Sequence, residues 1–222
     1  MIPLKDINPA RTTPIVNITL IAANVLVFFY MAYASATVPN SENAIMLAYG
    51  TVPARLNLWL AGRATTEAAL LPLLTSIFLH SGLMHLAGNM LFLWVFGDNV
   101  EDYFGHLGYL VFYLVCGVGS GLVHVLFNLH SRIPAIGASG AISGVMGAYA
   151  VLYPGHRILT FFFIFLIPVP AILILGYWFV IQFLEGVGGI GMGMRSGGGV
   201  AIWAHIGGFV IGVLITLLVR KR

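Results

Sequence analysis

A serine lies between glycines in one apolar run, Gly137-Ala138-Ser139-Gly140, and a histidine lies in a later one, Ala204-His205-Ile206-Gly207-Gly208. Polar groups in such surroundings cost free energy unless they pair or work. These two are the types that nucleophilic catalysis needs: a hydroxyl is a weak nucleophile at neutral pH, and an imidazole can take its proton. A dry environment disfavours the imidazolium and keeps the ring able to accept. A further pair, His85 and Asn89, is spaced i, i+4 and projects from one helix face. Histidine and asparagine side chains can stabilise the oxyanion of an acyl transfer alongside a backbone N–H. Each feature has a structural alternative. A lone Ser139 back-bonds to a helix carbonyl, and His85 with Asn89 ties neighbouring helices together. A metal held by His80, His85 and His205 lacks an acidic or cysteine partner, and no HExxH pattern occurs. A proton or substrate path through His85, Asn89 and His205 is the alternative from another class. Against it, no inverted repeat is evident, and Glu185 is the one acid in or beside a span apart from those ending the second.

The elements that must position these residues are membrane spans. The chain has 222 residues, 59% hydrophobic and 8% charged, with a mean hydropathy of +0.98. Soluble domains carry about 25% charged residues, so this is an integral membrane protein. The net charge of +3 is dispersed and gives no nucleic-acid surface. The exception, Arg220-Lys221-Arg222, reads as a cytoplasmic anchor. Cys116 is the single cysteine, reads as a small core hydrophobe and allows no internal disulfide. No cleavable signal-peptide pattern is expected, because the first apolar run is too long for one.

Charges and turn residues divide the chain into six apolar spans, approximately 14–34, 83–100, 105–127, 138–153, 165–184 and 201–219. Most are close to the roughly 20 residues that a bilayer requires, and the fourth is short. The long first loop holds Leu56, Leu58, Trp59 and Leu60, the pattern of an interfacial helix. The glycine-rich stretch Gly186–Gly199 predicts a flexible link and a candidate lid. Gln182 and Glu185 read as the boundary of the fifth span, and Phe161-Phe162-Phe163 as lipid-facing. His80 is expected to bond within its loop, and His124 to lie near an interface. An even span count puts both termini on one side, and the basic residues there favour the cytoplasm.

Small residues predict where helices meet. Gly140, Gly144 and Gly147 line the fourth span, and Ala204, Gly208 and Gly212 recur every four residues in the sixth. Such stripes let backbones approach closely in lipid. If they face each other, Ser139 and His205 come within hydrogen-bond reach.

At this point the chain resembles the rhomboid intramembrane serine proteases, in their prokaryotic-type, six-span form. Pro14-Ile15-Val16-Asn17 is similar to the family's start of span one. Phe78 to Met90, with His80, His85 and Asn89, resembles its second-span signature. Gly137-Ala138-Ser139-Gly140 resembles its GxSG motif, and Ala204-His205-Ile206-Gly207-Gly208 its AHxxG motif. The resemblance implies an all-α membrane protein, a single rhomboid-like bundle over residues 1–222. It implies an endopeptidase that cleaves in or near the transmembrane segments of other proteins, with no metal and no other cofactor. Its partners would be transmembrane protein substrates and the lipid bilayer. It would lie in a bacterial or archaeal cell membrane with both termini cytoplasmic. Ser139 and His205 would form a dyad without an acidic third member. His85, Asn89 and the Ser139 amide would hold the oxyanion, and Glu101 would be structural. Two positions depart from the pattern. Leu71-Pro72 stands where many members have Trp-Arg, and Ser143 where some carry a tyrosine that stacks on the histidine. Positioning of His205 must then come from other packing.

Overall fold

The computed structural model describes residues 2–191 and 201–220. In chain order, β1 (Ile2–Asp6) precedes α1 (Ile15–Thr37), and the first connection folds into α2 (Ser41–Tyr49), α3 (Pro53–Leu60) and α4 (Thr66–Thr75). A 3-10 turn at Ser76–Phe78 leads into α5 (Leu83–Phe104), followed by α6 (His106–Phe127) and α7 (Ser139–Leu152). The hairpin β2 (Arg157–Phe162) and β3 (Phe165–Pro170) precedes α8 (Ala171–Gly191) and α9 (Ile202–Val219). The protein is a helical membrane bundle. Among the described residues, α1, α6, α8 and α9 are long and apolar enough to cross a membrane on their own. α5 qualifies only together with the preceding helical segment Thr66–Phe78, from which it is bent by 78°.

The span expected over 165–184 requires a correction. Residues Phe165–Pro170 are a strand, and the helix begins at Ala171. Pro168 and Pro170 carry no N–H for a helical ladder. They are tolerated because β3 is an edge of the antiparallel sheet β1-β2-β3. That sheet is an addition to the expected all-helical fold. The predicted link from Gly186 is also helical as far as Gly191, and its remainder, with Lys221 and Arg222 of the basic C-terminus, lies outside the described residues.

With 14 residues, α7 is about 21 Å long at 1.5 Å per residue, short of the roughly 30 Å hydrocarbon core. It is the centre of the bundle, and every residue from Gly140 to Tyr149 is buried. Its closest neighbour is α9. A Cβ on Gly208 would collide with the Gly140 carbonyl oxygen, and one on Gly212 with that of Gly144. The stripes therefore face each other and set the separation of the two helices.

Buried polar groups fix the opposite end of the bundle. Glu101, fully buried, accepts from the backbone N–H groups of Val16 at 3.0 Å and Asn17 at 2.7 Å. A carboxylate there satisfies N–H groups that the first turn of α1 cannot pair and complements the helix dipole. The His106 ring pairs with the same carboxylate. Asn17 accepts from Tyr109 Oη at 2.8 Å and donates to the Leu93 carbonyl at 3.1 Å. Asp6 accepts from Tyr149 Oη at 2.6 Å and Asn99 Nδ2 at 2.8 Å, which ties β1 to the bundle. Burial nevertheless pushes the Asp6 carboxyl above its usual range. β1 pairs with β2, and Arg220 reaches the Val151 carbonyl at 3.5 Å, so the two ends of the chain meet at this end.

Candidate active site

Ser139 is the first residue of α7. The approach is made by Gly137, whose φ of +124° suits glycine and whose N–H donates to the Ser76 carbonyl at 2.9 Å. A side chain at Gly137 would also strike the His85 ring, 2.9 Å from the position of its Cβ. The turn thus places the start of α7 beside His85. The first N–H groups of a helix lack intrahelical acceptors, and the dipole there favours negative charge.

Ser139 Oγ lies 2.7 Å from His205 Nε2. The opposite ring nitrogen, Nδ1, is 2.5 Å from Gln182 Oε1 on α8. The Trp178 ring flanks the same imidazole with centroids 5.8 Å apart. These two α8 side chains occupy the role left open by Ser143, whose hydroxyl instead donates to the Ser139 carbonyl at 2.6 Å. The back-bonding alternative weighed for Ser139 is therefore realised at Ser143, one turn on.

Ser139 and His205 open into a cavity of about 460 Å³, walled by His85, Asn89, Met146 and Trp178. His85 Nδ1 is 3.3 Å from Ser81 Oγ. Asn89 Nδ2 donates one hydrogen to the His85 carbonyl at 3.0 Å, and its amide has a second hydrogen to offer. His80, buried, packs edge-on against the His85 ring with centroids 5.0 Å apart. His124, in the last turn of α6, is buried and lines a small space of about 30 Å³ with Ser120 and Ser139.

Without Trp-Arg, the first loop is held by threonines. Thr51 Oγ1 donates to the Pro72 carbonyl at 3.0 Å and lies 3.0 Å from Ser76 Oγ, while Thr75 Oγ1 donates to the Tyr49 carbonyl at 2.7 Å.

Sequence reasoning missed Gln182, Trp178 and Ser81 as site residues. The signal was there: Trp178, Gln182 and Glu185 are spaced i, i+4, i+7 on one helix face. Ser81 precedes His85 by four residues.

Fold and site together define a membrane-embedded helical bundle built around a serine–histidine pair. The Rhomboid domain matches residues 67–222, and the chain belongs to the rhomboid family. It is 33% identical over 152 residues to Rhomboid protein 1, mitochondrial, of Saccharomyces cerevisiae, covering 66% of this chain and 41% of that protein. It is 37% identical over 120 residues to the Rhomboid protease GluP of Bacillus subtilis, covering 54% and 23%. With Rhomboid-like protein 11, chloroplastic, of Arabidopsis thaliana it shares 31% identity over 156 residues, covering 66% and 51%. In all three cases the chain matches less than two thirds of the relative's own length.

Proposed function

We propose that this protein is an intramembrane serine endopeptidase that hydrolyses peptide bonds in or near the transmembrane segments of other membrane proteins. The observation that carries the reading is the 2.7 Å approach of Ser139 Oγ to His205 Nε2 at a cavity inside an apolar bundle. A substrate helix enters from the bilayer and unwinds locally, since an intact helix keeps its carbonyls in hydrogen bonds. Ser139 Oγ attacks the carbonyl carbon while His205 Nε2 takes its proton. The oxyanion is held by the Ser139 N–H, the Asn89 amide and His85. If Ser81 donates to His85 Nδ1, the ring's proton is on Nε2, on the Gly137 side. His205 then gives its proton to the leaving amine as the C–N bond breaks. Water, deprotonated by His205, attacks the acyl-enzyme and releases the new carboxyl end and Ser139.

The test uses purified protein in liposomes with a single-span substrate. Wild type is expected to cleave, and Ser139→Ala and His205→Ala to lose cleavage and fluorophosphonate labelling. Equal cleavage by wild type and Ser139→Ala would end the reading. We further propose a multi-pass protein of a bacterial or archaeal cell membrane with both termini cytoplasmic. The end where they meet bears Lys5, Arg11, Arg157 and Arg220, which supports that orientation.

A further inference from the structure

The family pattern supplies no acid to orient the histidine, and here the stacking tyrosine is a serine. Yet an imidazole that must accept through Nε2 has to carry its proton on Nδ1, and that tautomer is set by whatever Nδ1 bonds to. His205 Nδ1 faces Gln182 Oε1. Oxygen and nitrogen of an amide are assigned from their surroundings, and here the surroundings decide. Gln182 Nε2 points at Glu185 Oε2, 3.2 Å away. A carboxylate only accepts, so the NH₂ must face Glu185 and the carbonyl must face His205. The chain of bonds then has one direction: Ser139 Oγ–H to Nε2, Nδ1–H to Gln182, and Gln182 N–H to Glu185.

We propose that Gln182 is a positioning residue for the base. Its side-chain carbonyl, oriented by Glu185, holds His205 in the Nδ1–H tautomer and aims Nε2 at Ser139. The proposal rests on the endopeptidase reading for its kinetic consequence and on geometry for its tautomer. It also makes α8 part of the catalytic alignment. Both Gln182 and Trp178 reach His205 from α8, so the base is held in line only while α8 lies against α9.

Three proteins test this. Gln182→Met keeps the side chain's length and removes the acceptor. The exchange Gln182→Glu with Glu185→Gln keeps an acceptor toward His205 and a donor from position 185. Cleavage kinetics and fluorophosphonate labelling are measured on each, with ¹⁵N-histidine NMR in detergent. For Gln182→Met we expect kcat and the labelling rate to fall together about 10- to 100-fold, by analogy with the loss of a partner that orients a metal-bound imidazole. KM should stay within about twofold, because only alignment in the transition state is lost. The exchange variant should recover most of the loss, which a merely structural side chain would not predict. In wild type the His205 signals should report Nδ1–H with a bare Nε2, and Gln182→Met should mix the tautomers. Labelling by Gln182→Met within about twofold of wild type, or an unchanged tautomer, would overturn the proposal. If wild type shows no Ser139-dependent turnover, the endopeptidase reading fails, and the NMR result still decides the role of Gln182.

Discussion

At the residue scale, the proposed chemistry divides the cavity wall into groups that would react and groups that would hold. Asn89 has one amide hydrogen on the His85 carbonyl and another for the cavity. If that second hydrogen meets the oxyanion, its contribution arises in the transition state and not in the bound substrate. Asn89→Ala is then expected to lower kcat about 10²- to 10³-fold, or about 2.7–4 kcal/mol, with KM nearly unchanged. Progress curves over a range of substrate concentrations would show it, and a rise in KM at constant kcat would count against an oxyanion role. The residues of the proposed dyad and oxyanion site stood out in the sequence through their glycine contexts and i, i+4 spacing. The residues proposed to orient them share one helix face by spacing, but that spacing does not name the group they meet. Gln182 and Glu185 carry the composition of a span end, and only the packing of α8 on α9 shows that one of them faces an imidazole.

At the element scale, the approach of Ser139 to His205 is inherited from the contact between α7 and α9. The small residues at intervals of four in α9 and along α7 made that contact readable, since only a close approach explains them. Gly208→Ala should therefore be severe: its Cβ would meet the Gly140 backbone, which cannot rotate away as a side chain can. Overpacking of this kind costs about 1–3 kcal/mol, and it would also push His205 from Ser139. We expect a lower melting temperature and loss of fluorophosphonate labelling. Gly176→Ala on α8, with no atom within 4 Å of the new Cβ, should leave both intact. The strands were less legible. Phe165–Pro170 is as apolar as a span, and its character comes from pairing with β2, a contact that hydropathy does not encode. The sheet gives a pH prediction. The Asp6 carboxyl is raised by burial in the folded state, so its contribution is present at low pH and is lost as pH rises through the raised value. Measured against Asp6→Asn, which does not titrate, wild type should gain melting temperature as pH falls from neutral into the upper carboxylate range. A constant difference would remove Asp6 as the source.

At the scale of the whole molecule, the cavity lies between helices of unequal attachment. On one side is α5, anchored through Glu101 to α1 and His106. On the other is α8, which packs on α9, α7 and its own strand and exposes Leu173, Tyr177 and Leu184. On the proposed endopeptidase reading, a substrate helix about 10 Å across would need one wall of the cavity to yield for entry from the bilayer, and α8 is the wall with fewer ties. The same helix carries Gln182 and Trp178. Opening for entry would therefore release the base, and closure around the substrate would restore it, linking admission to alignment as lids do in other enzymes. Two readouts separate these roles. Cysteines introduced across the mouth between α5 and α8, and cross-linked, should slow cleavage of a single-span substrate. Labelling of Ser139 by a small fluorophosphonate should persist near the uncrosslinked rate, because the closed state keeps His205 in place. Turnover unchanged by the cross-link would show that substrate does not enter there. Parallel loss of both readouts would show that the cross-link distorts the dyad instead of closing a gate.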